Sequence, residues 1–363
     1  MRFMPGPDAE LLRTSLRGFF AKASPEAEVR RWMELPHGFD AELWQRSAHE
    51  LGIQGLVISE ELGGAGASLV ELGVAFEEMG RALVCAPFLS TLAFAVPLLG
   101  QLDNNPAAAA ILAAIADGTA VATLAGGASG GVTVTDGQRI SGTADIVVDG
   151  ADADIVLGAA TNRDGRIDLF AVPKTASGLS VEPLVTLDST RRLARLRFED
   201  VAGQPLASDI ARMLDRVRDT AALLLAAEQL GGASRALEDA VLHASTRVQF
   251  GRPIGSFQAI KHRLADMLVD VESARSVVAH ALYRVSEDAG ALPLEAALAR
   301  SVASDVYLAT AAANLQIHGG IGFTWEHSAH LHLKRAKSSA LLLGTATASR
   351  RRLAEHLKIA SGT

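Results

Sequence analysis

Leu193-Ala194-Arg195-Leu196-Arg197-Phe198, followed shortly by Ser208-Asp209-Ile210, marks a change of period in the chain. The first run is short, apolar and strand-like. After Ser208-Asp209, which reads as an N-cap, Ile210, Met213, Leu214, Val217, Ala221, Leu224 and Leu225 recur every three or four residues, the spacing of one helix face. Working back from this point, further strand-like runs lie at residues 132–134, 146–148, 155–157 and 167–172, with Asp149-Gly150 and Asp164-Gly165 as turn signals. Arg163-Asp164-Gly165-Arg166 should close a hairpin. Earlier still the period is helical: Leu11, Leu12, Leu16 and Phe19; Leu43, Trp44, Ala48 and Leu51; then Leu69, Leu72, Phe76 and Met79 after a break at Glu60-Glu61-Leu62-Gly63-Gly64-Ala65-Gly66. Towards the C-terminus the helical pattern is interrupted at residues 251–255, 290–293 and 319–324, which implies four or five helices of roughly 20 to 30 residues. The fold class expected is therefore α+β: an N-terminal helical domain (1–117), a small middle β-barrel or sandwich domain (118–207) and a C-terminal four-helix-bundle domain (208–363).

Composition limits function. The 363 residues carry 34 Lys plus Arg against 41 Asp plus Glu, a net charge of −7 without a basic run, which argues against nucleic acid as a partner. The apolar stretch at 92–99 is far shorter than the roughly 20 residues of a membrane span, and the N-terminus has no leader pattern, so a cytoplasmic protein is expected. Cys85 is the single cysteine and sits in an apolar setting, which leaves no disulfide, no cysteine metal site and no reactive thiol.

Neither Gly63-Gly64-Ala65-Gly66 nor Gly126-Gly127-Ala128-Ser129-Gly130-Gly131 has the spacing of a phosphate loop, and no strand–helix alternation surrounds them. No nucleophile elbow is present. Glu326, His327, His330 and His332 cluster, with His327 and His330 at the spacing of one helix face, but lack a metal-binding pattern; packing and capping are expected of them. Two stretches are more specific. In Thr246-Arg247-Val248-Gln249-Phe250-Gly251-Arg252-Pro253-Ile254-Gly255-Ser256-Phe257-Gln258-Ala259-Ile260-Lys261 a helix end, a glycine, a proline opening the next helix and two arginines make a corner able to hold a diphosphate. It fits equally well a helix hairpin with solvated arginines. In Gln316-Ile317-His318-Gly319-Gly320-Ile321-Gly322-Phe323-Thr324-Trp325-Glu326 the glycines admit a ligand or a neighbouring chain to the backbone, or simply end a helix.

Together these two stretches resemble the acyl-CoA dehydrogenase family. The corner with the following Leu264-Ala265-Asp266-Met267 is similar to its C-terminal signature, residues 316–320 to its flavin-binding glycine segment, Ser59-Glu60-Glu61-Leu62-Gly63-Gly64-Ala65-Gly66 to its N-terminal element, and Phe198-Glu199-Asp200-Val201 to the strand leaving its β domain. The resemblance implies the same helical–β–helical order, FAD as cofactor and an acyl-CoA substrate. It also implies a carboxylate that removes the α proton on one face of the substrate while the β hydrogen leaves to the flavin on the other. Carried over by position, Arg247, Gln249, Phe250, Phe257, Gln316, Gly319, Gly320 and Thr345 are the cofactor-binding candidates, and Asp219 the substrate-binding one.

The catalytic base does not carry over. The family's Glu before Gly-Thr falls on Leu343 in Ala340-Leu341-Leu342-Leu343-Gly344-Thr345, and the alternative base position falls on Ala221, beside Ala222 where an arginine is expected. Glu228 lies two turns, roughly 10 Å, from Ala221 on one helix. The segments expected against the flavin ring are Ala125-Gly126-Gly127 and Ile146-Val147-Val148, without the family's tryptophan and hydroxyls. In the family's dimers each FAD spans two chains, so this chain resembles the non-catalytic subunit of heterotetrameric acyl-CoA dehydrogenases of the kind seen in steroid degradation, paired with a homologous catalytic subunit. The alternatives are a self-sufficient homo-oligomeric enzyme using Asp219 or Glu228 as base, a flavin- or CoA-binding protein that does no dehydrogenation, and a purely structural subunit.

Overall fold

A computed structural model describes residues 6–35, 39–127, 131–135 and 139–359; Ala128, Ser129 and Gly130 of the second glycine-rich stretch lie outside the described residues. Among the described residues six α-helices come first: α1 (Pro7–Ala23), α2 (Glu26–Glu34), α3 (Ala41–Leu51), α4 (Leu69–Arg81), α5 (Val96–Leu99) and α6 (Pro106–Ala116). Eight strands follow: β1 (Ala122–Gly126), β2 (Val132–Thr135), β3 (Arg139–Val148), β4 (Ile155–Thr161), β5 (Ile167–Pro173), β6 (Leu179–Pro183), β7 (Leu193–Ala202) and β8 (Gln204–Ala207). Then come α7 (Ala211–Thr246), the small strands β9 (Val248–Gln249) and β10 (Arg252–Pro253), α8 (Gln258–Glu287), α9 (Leu292–His318), α10 (Ala329–Leu341) and α11 (Ala346–His356). The order is the helical, β, helical one that the periodicity implies. By contact the chain groups into two compact units, one of residues 1–29, 69–84 and 222–363, the other of residues 30–68 and 85–221. Among the described residues no helix is long and apolar enough to cross a membrane.

The second of these units holds the sheet, ordered β6-β7-β3-β2-β4-β5-β8 with β1 parallel to β4. Ile140, Val147, Val156, Val172, Leu196, Phe198 and Val201 form its core. The hairpin expected at 163–166 joins β4 to β5: Asn162 Oδ1 accepts from the backbone N–H of Asp164 and of Arg166, at 3.0 and 3.1 Å, and Gly165 supplies φ +78°. Strands β1 and β6 escaped the sequence patterns because Ala122-Thr-Leu-Ala-Gly126 is built from small residues and Leu179-Ser-Val-Glu-Pro183 is short and polar. The N-cap expected at Ser208-Asp209 is displaced. Asp209 takes φ +56°, its N–H donates to the Asp168 carboxylate at 3.2 Å, and α7 starts at Ala211. After β3 the Asp149 carboxyl is buried and accepts from Ser90 Oγ at 2.7 Å, Ser90 lying in the π-helical turn Leu89–Ala95. Burial pushes this carboxyl up to about 7; Asp152 adds to the rise, while the Ser90 bond and Arg191 oppose it.

In the first unit α4 crosses α7 at backbone contact. A Cβ on Gly80 would stand 1.9 Å from the Glu228 carbonyl oxygen, and one on Gly231 would stand 1.8 Å from that of Glu77. Only glycine at both positions lets the helices approach so closely. Beside the crossing Arg13 donates to Glu77 at 2.7 Å and Arg17 to Glu78 at 2.7 Å, tying α1 to α4. Two faces of α7 thus have different work: apolar and glycine positions pack, and the next face, described below, carries charge.

Candidate cofactor half-site

The corner after α7 is a two-residue hairpin. Gln249 pairs with Arg252 across Phe250 and Gly251, both at positive φ, +52° and +77°, as the tightest β-hairpin turns require. Pro253 therefore does not open a helix as the sequence suggests. Its φ of −55° suits a helix start, but its ψ of 138° is extended, and α8 begins only at Gln258. Phe257 supports the corner from below. The Arg252 guanidinium lies 4.2 Å over its ring, and Phe250 meets it edge-on at 6.1 Å. Phe250 itself is 91% exposed, and Arg247 and Gln249 are exposed beside it.

The second stretch closes α9. His318 is its last residue, Gly319 turns the chain at φ +63°, and no atom lies within 4 Å of where a Cβ would stand on Gly319 or Gly320. Gln316 is exposed. The two stretches are brought together by one contact: the rings of His243, one turn before Arg247, and His318, two residues after Gln316, have centroids 4.1 Å apart. What they jointly present is a guanidinium, two carboxamides and an open glycine backbone, a donor set that fits a diphosphate. Val248, Phe250, Ile321, Phe323 and Trp325 are exposed apolar residues on the same two stretches.

The base positions look different. Leu343 is half-buried and held in the left-handed region at φ +62°, followed by Gly344 at +97°. Arg300, buried on α9, secures this turn by donating through Nη2 to the carbonyls of Ser339, Leu342 (2.8 Å) and Gly344 (3.4 Å), and through Nη1 to Gln229 at 2.6 Å. Thr345 accepts the Ala348 N–H at 3.2 Å and caps α11. Ala221 is fully buried, and Asp219 is buried. Glu228 is buried in an ion pair with Arg335, Nη1 to Oε1 at 2.8 Å. On the ring side, Ala125, Gly126 and Gly127 offer no side-chain donor, Ile146 is exposed, and Val147 and Val148 are buried in the sheet. These segments do not fit a flavin ring as the diphosphate donors fit a diphosphate.

The histidine cluster divides. His327 precedes α10, which starts at Ala329, so it shares no helix face with His330; instead its ring packs, tilted, against His318 with centroids 4.2 Å apart. The Ser-Ala start of α10 sets that register, which i, i+3 counting could not anticipate. His330 stacks on Trp325 at 4.7 Å, with the Lys334 ammonium 4.0 Å over the indole. His332 is buried against the Tyr307 hydroxyl, 3.0 Å away, and its pKa is pushed down to about 3 by burial first and then by Arg235, Arg335 and Arg81. Among the described residues no three His, Cys, Asp or Glu side chains are grouped to hold a metal ion. Sequence reasoning missed the His243–His318 contact and the Arg300 brace, both of which join residues far apart in the chain.

Family models described as "Acyl-CoA dehydrogenase, N-terminal domain" and "Acyl-CoA dehydrogenase, C-terminal domain" match residues 6–119 and 216–358. The chain is 41% identical over 349 residues to the acyl-CoA dehydrogenase IpdE2 of Mycobacterium tuberculosis, covering 96% of this chain and 97% of that protein. Among solved structures it is similar to the ChsE4-ChsE5 complex from Mycobacterium tuberculosis, with a TM-score of 0.89 and 27% identity over 100% of both chains. It is also similar to a variant of the Tcur3481-Tcur3483 steroid ACAD, with a TM-score of 0.86 and 30% identity over 97% of this chain and 98% of that one.

Proposed function

The chain belongs to the acyl-CoA dehydrogenase family, and on that footing we propose that it is the non-catalytic subunit of an FAD-dependent acyl-CoA dehydrogenase, completing the cofactor site of a homologous catalytic partner. FAD is the cofactor, and when bound it takes the hydride that leaves the acyl β carbon. The observation that carries the proposal is an asymmetry. Arg247, Gln249, Gln316 and the open backbone at Gly319-Gly320 suit a diphosphate, whereas Leu343 and Ala221 have no group able to take a proton. The exposed apolar residues around the seat suit burial against a second chain. In this role Arg247 pairs with the diphosphate charge, Phe257 and Arg252 hold the corner rigid, and Leu343 fills the place of the base without exchanging a proton. Segments 1–117, 118–207 and 208–363 act as the three domains, in the cytoplasm. The substrate is an acyl-CoA thioester, and the relatives described as a steroid ACAD favour a steroid-derived acyl group.

Purification decides the matter. Expressed alone, the chain should retain little FAD and oxidise no acyl-CoA; coexpressed with a homologous subunit, it should yield a complex with bound FAD and turnover. Arg247→Gln in this chain should lower the FAD content of that complex by at least about tenfold, the loss of one charge-assisted diphosphate contact. Stoichiometric FAD and steady turnover by the chain alone would overturn the proposal.

A further inference from the structure

The rings of His243, His318 and His327 form a continuous row, a tilted stack with centroids 4.1 and 4.2 Å apart and interplanar angles of 34° and 49°. They come from α7, from the last residue of α9 and from the turn before α10. One face of α7 carries Arg235, Asp239 and His243 at four-residue spacing, and Arg247 follows just past the helix end with its N–H donating to the His243 carbonyl at 2.9 Å, so the three rings lie a single turn behind the residue assigned to the diphosphate seat. Charged groups near it include Arg247, just past α7, and Asp239 of α7, the latter paired to Arg235 at 2.9 Å and within electrostatic range of His318.

The three rings are not equivalent. His327 Nδ1 accepts the Ala329 N–H at 3.1 Å, so a proton there would break a bond. His318 Nδ1 lies 2.9 Å from the Asn314 carbonyl and must donate to it, which leaves Nε2 as its basic atom. His243 is half-buried, and burial, His318, His327 and Arg247 all hold its pKa below the ordinary value. Without an anion nearby His243 is thus held towards its neutral form.

We propose that this stack is a protonatable backing to the diphosphate seat, so that a diphosphate bound at Arg247 draws one proton from solvent onto His243 or His318. The inference rests on the assignment of Arg247, Gln316 and Gly319 to a diphosphate. Two fixed negative charges arriving a turn away favour the imidazolium, and the neighbouring ring faces accommodate one cation. A second proton is opposed by the first across 4.1 Å, which limits the uptake to one. The bound-state pKa lies above the free-state one. Affinity for the diphosphate is therefore greatest below the depressed free value and declines as pH rises through the bound value.

ADP-ribose is the probe, because its diphosphate is a diester whose two charges do not titrate near neutrality. Calorimetry on the full chain, alone and in its subunit complex, in two buffers of unlike ionisation enthalpy should show uptake of up to one proton. Affinity should rise by up to about tenfold per pH unit on lowering the pH from about 8 to about 6. His243→Gln and His318→Gln should flatten that slope, and Arg247→Gln should weaken binding at every pH while leaving the slope in place. In the unsubstituted chain, histidine ring resonances followed by NMR should show a raised pKa on adding ADP-ribose, which serves as the check if a variant fails to fold. Affinity that depends on Arg247 but not on pH, with unmoved ring resonances, overturns the proton uptake and leaves the seat standing. Absence of binding, or binding indifferent to Arg247→Gln, overturns the seat and the uptake together.

Discussion

Leu343 occupies a backbone conformation that disfavours it. A leucine at φ +62° costs about 1 to 2 kcal/mol, and the side chain brings no compensating hydrogen bond. The turn persists because Arg300 gathers the carbonyls of Ser339, Leu342 and Gly344 around one guanidinium and is itself steadied by Gln229. Replacing Arg300 with Met takes this donor from the buried Ser339 carbonyl and Gln229 amide oxygen and from the more open Leu342 and Gly344 carbonyls. Arg300→Met should destabilise the chain by about 1 to 3 kcal/mol in urea unfolding, the cost of leaving a buried hydrogen-bond acceptor unsatisfied. A loss below about 1 kcal/mol would show that the turn is held by something else. At this scale the sequence was legible where chemistry is absent: Leu343 and Ala221 are visibly not carboxylates. It was not legible where chemistry depends on distant partners, as at Arg300 or His243, because single residue types carry no record of what they meet.

Elements were legible in proportion to how local their causes are. The 163–166 hairpin and the long run of α7 follow from turn chemistry and from a single period. The corner was read in part: Phe250-Gly251 turn as expected of a break, yet Pro253 fixes only φ, and the ψ that decides between helix and strand comes from its pairing with Val248. Glycines show the same divide. Gly231 and Gly320 look alike in sequence, but the first faces the Glu77 carbonyl of α4 and the second faces open space. Gly231→Ala should therefore cost at least about 2 kcal/mol of stability by forcing α4 and α7 apart. Gly320→Ala should leave the melting temperature within about 2 °C while weakening ADP-ribose binding. Equal melting temperatures for the two variants would contradict the crossing geometry.

For the whole molecule, two buried titratable groups set opposite pH dependences in the two compact units. His332 belongs to the unit with α10. Its pKa is pushed down to about 3 from an ordinary 6.5, so its contribution is complete above about 6.5 and is lost as pH falls towards about 3. Asp149 belongs to the unit with the sheet. Its pKa is pushed up to about 7 from 3.8, so its contribution is complete below about 3.8 and is lost as pH rises through about 7. Hydrogen exchange, corrected for intrinsic rates, should show α10 loosening and β3 tightening as pH is lowered from about 7 to about 4. Asp149→Asn, which can still accept from Ser90, should abolish the trend in β3 alone. Parallel changes in both units would refute the assignment.

The three tryptophans of the chain are unequally placed. Trp32 and Trp44 are buried, while Trp325 is 65% exposed, with the His330 ring and the Lys334 ammonium packed on its indole just beyond the glycine segment. Buried indoles emit at shorter wavelengths than a wet one, so the red edge of the emission spectrum belongs almost wholly to Trp325. Oxidised flavin absorbs in that band, and a flavin arriving near residues 316–320 would drain this emission by energy transfer. On the proposed role this emission would report occupancy of the half-site without any added dye.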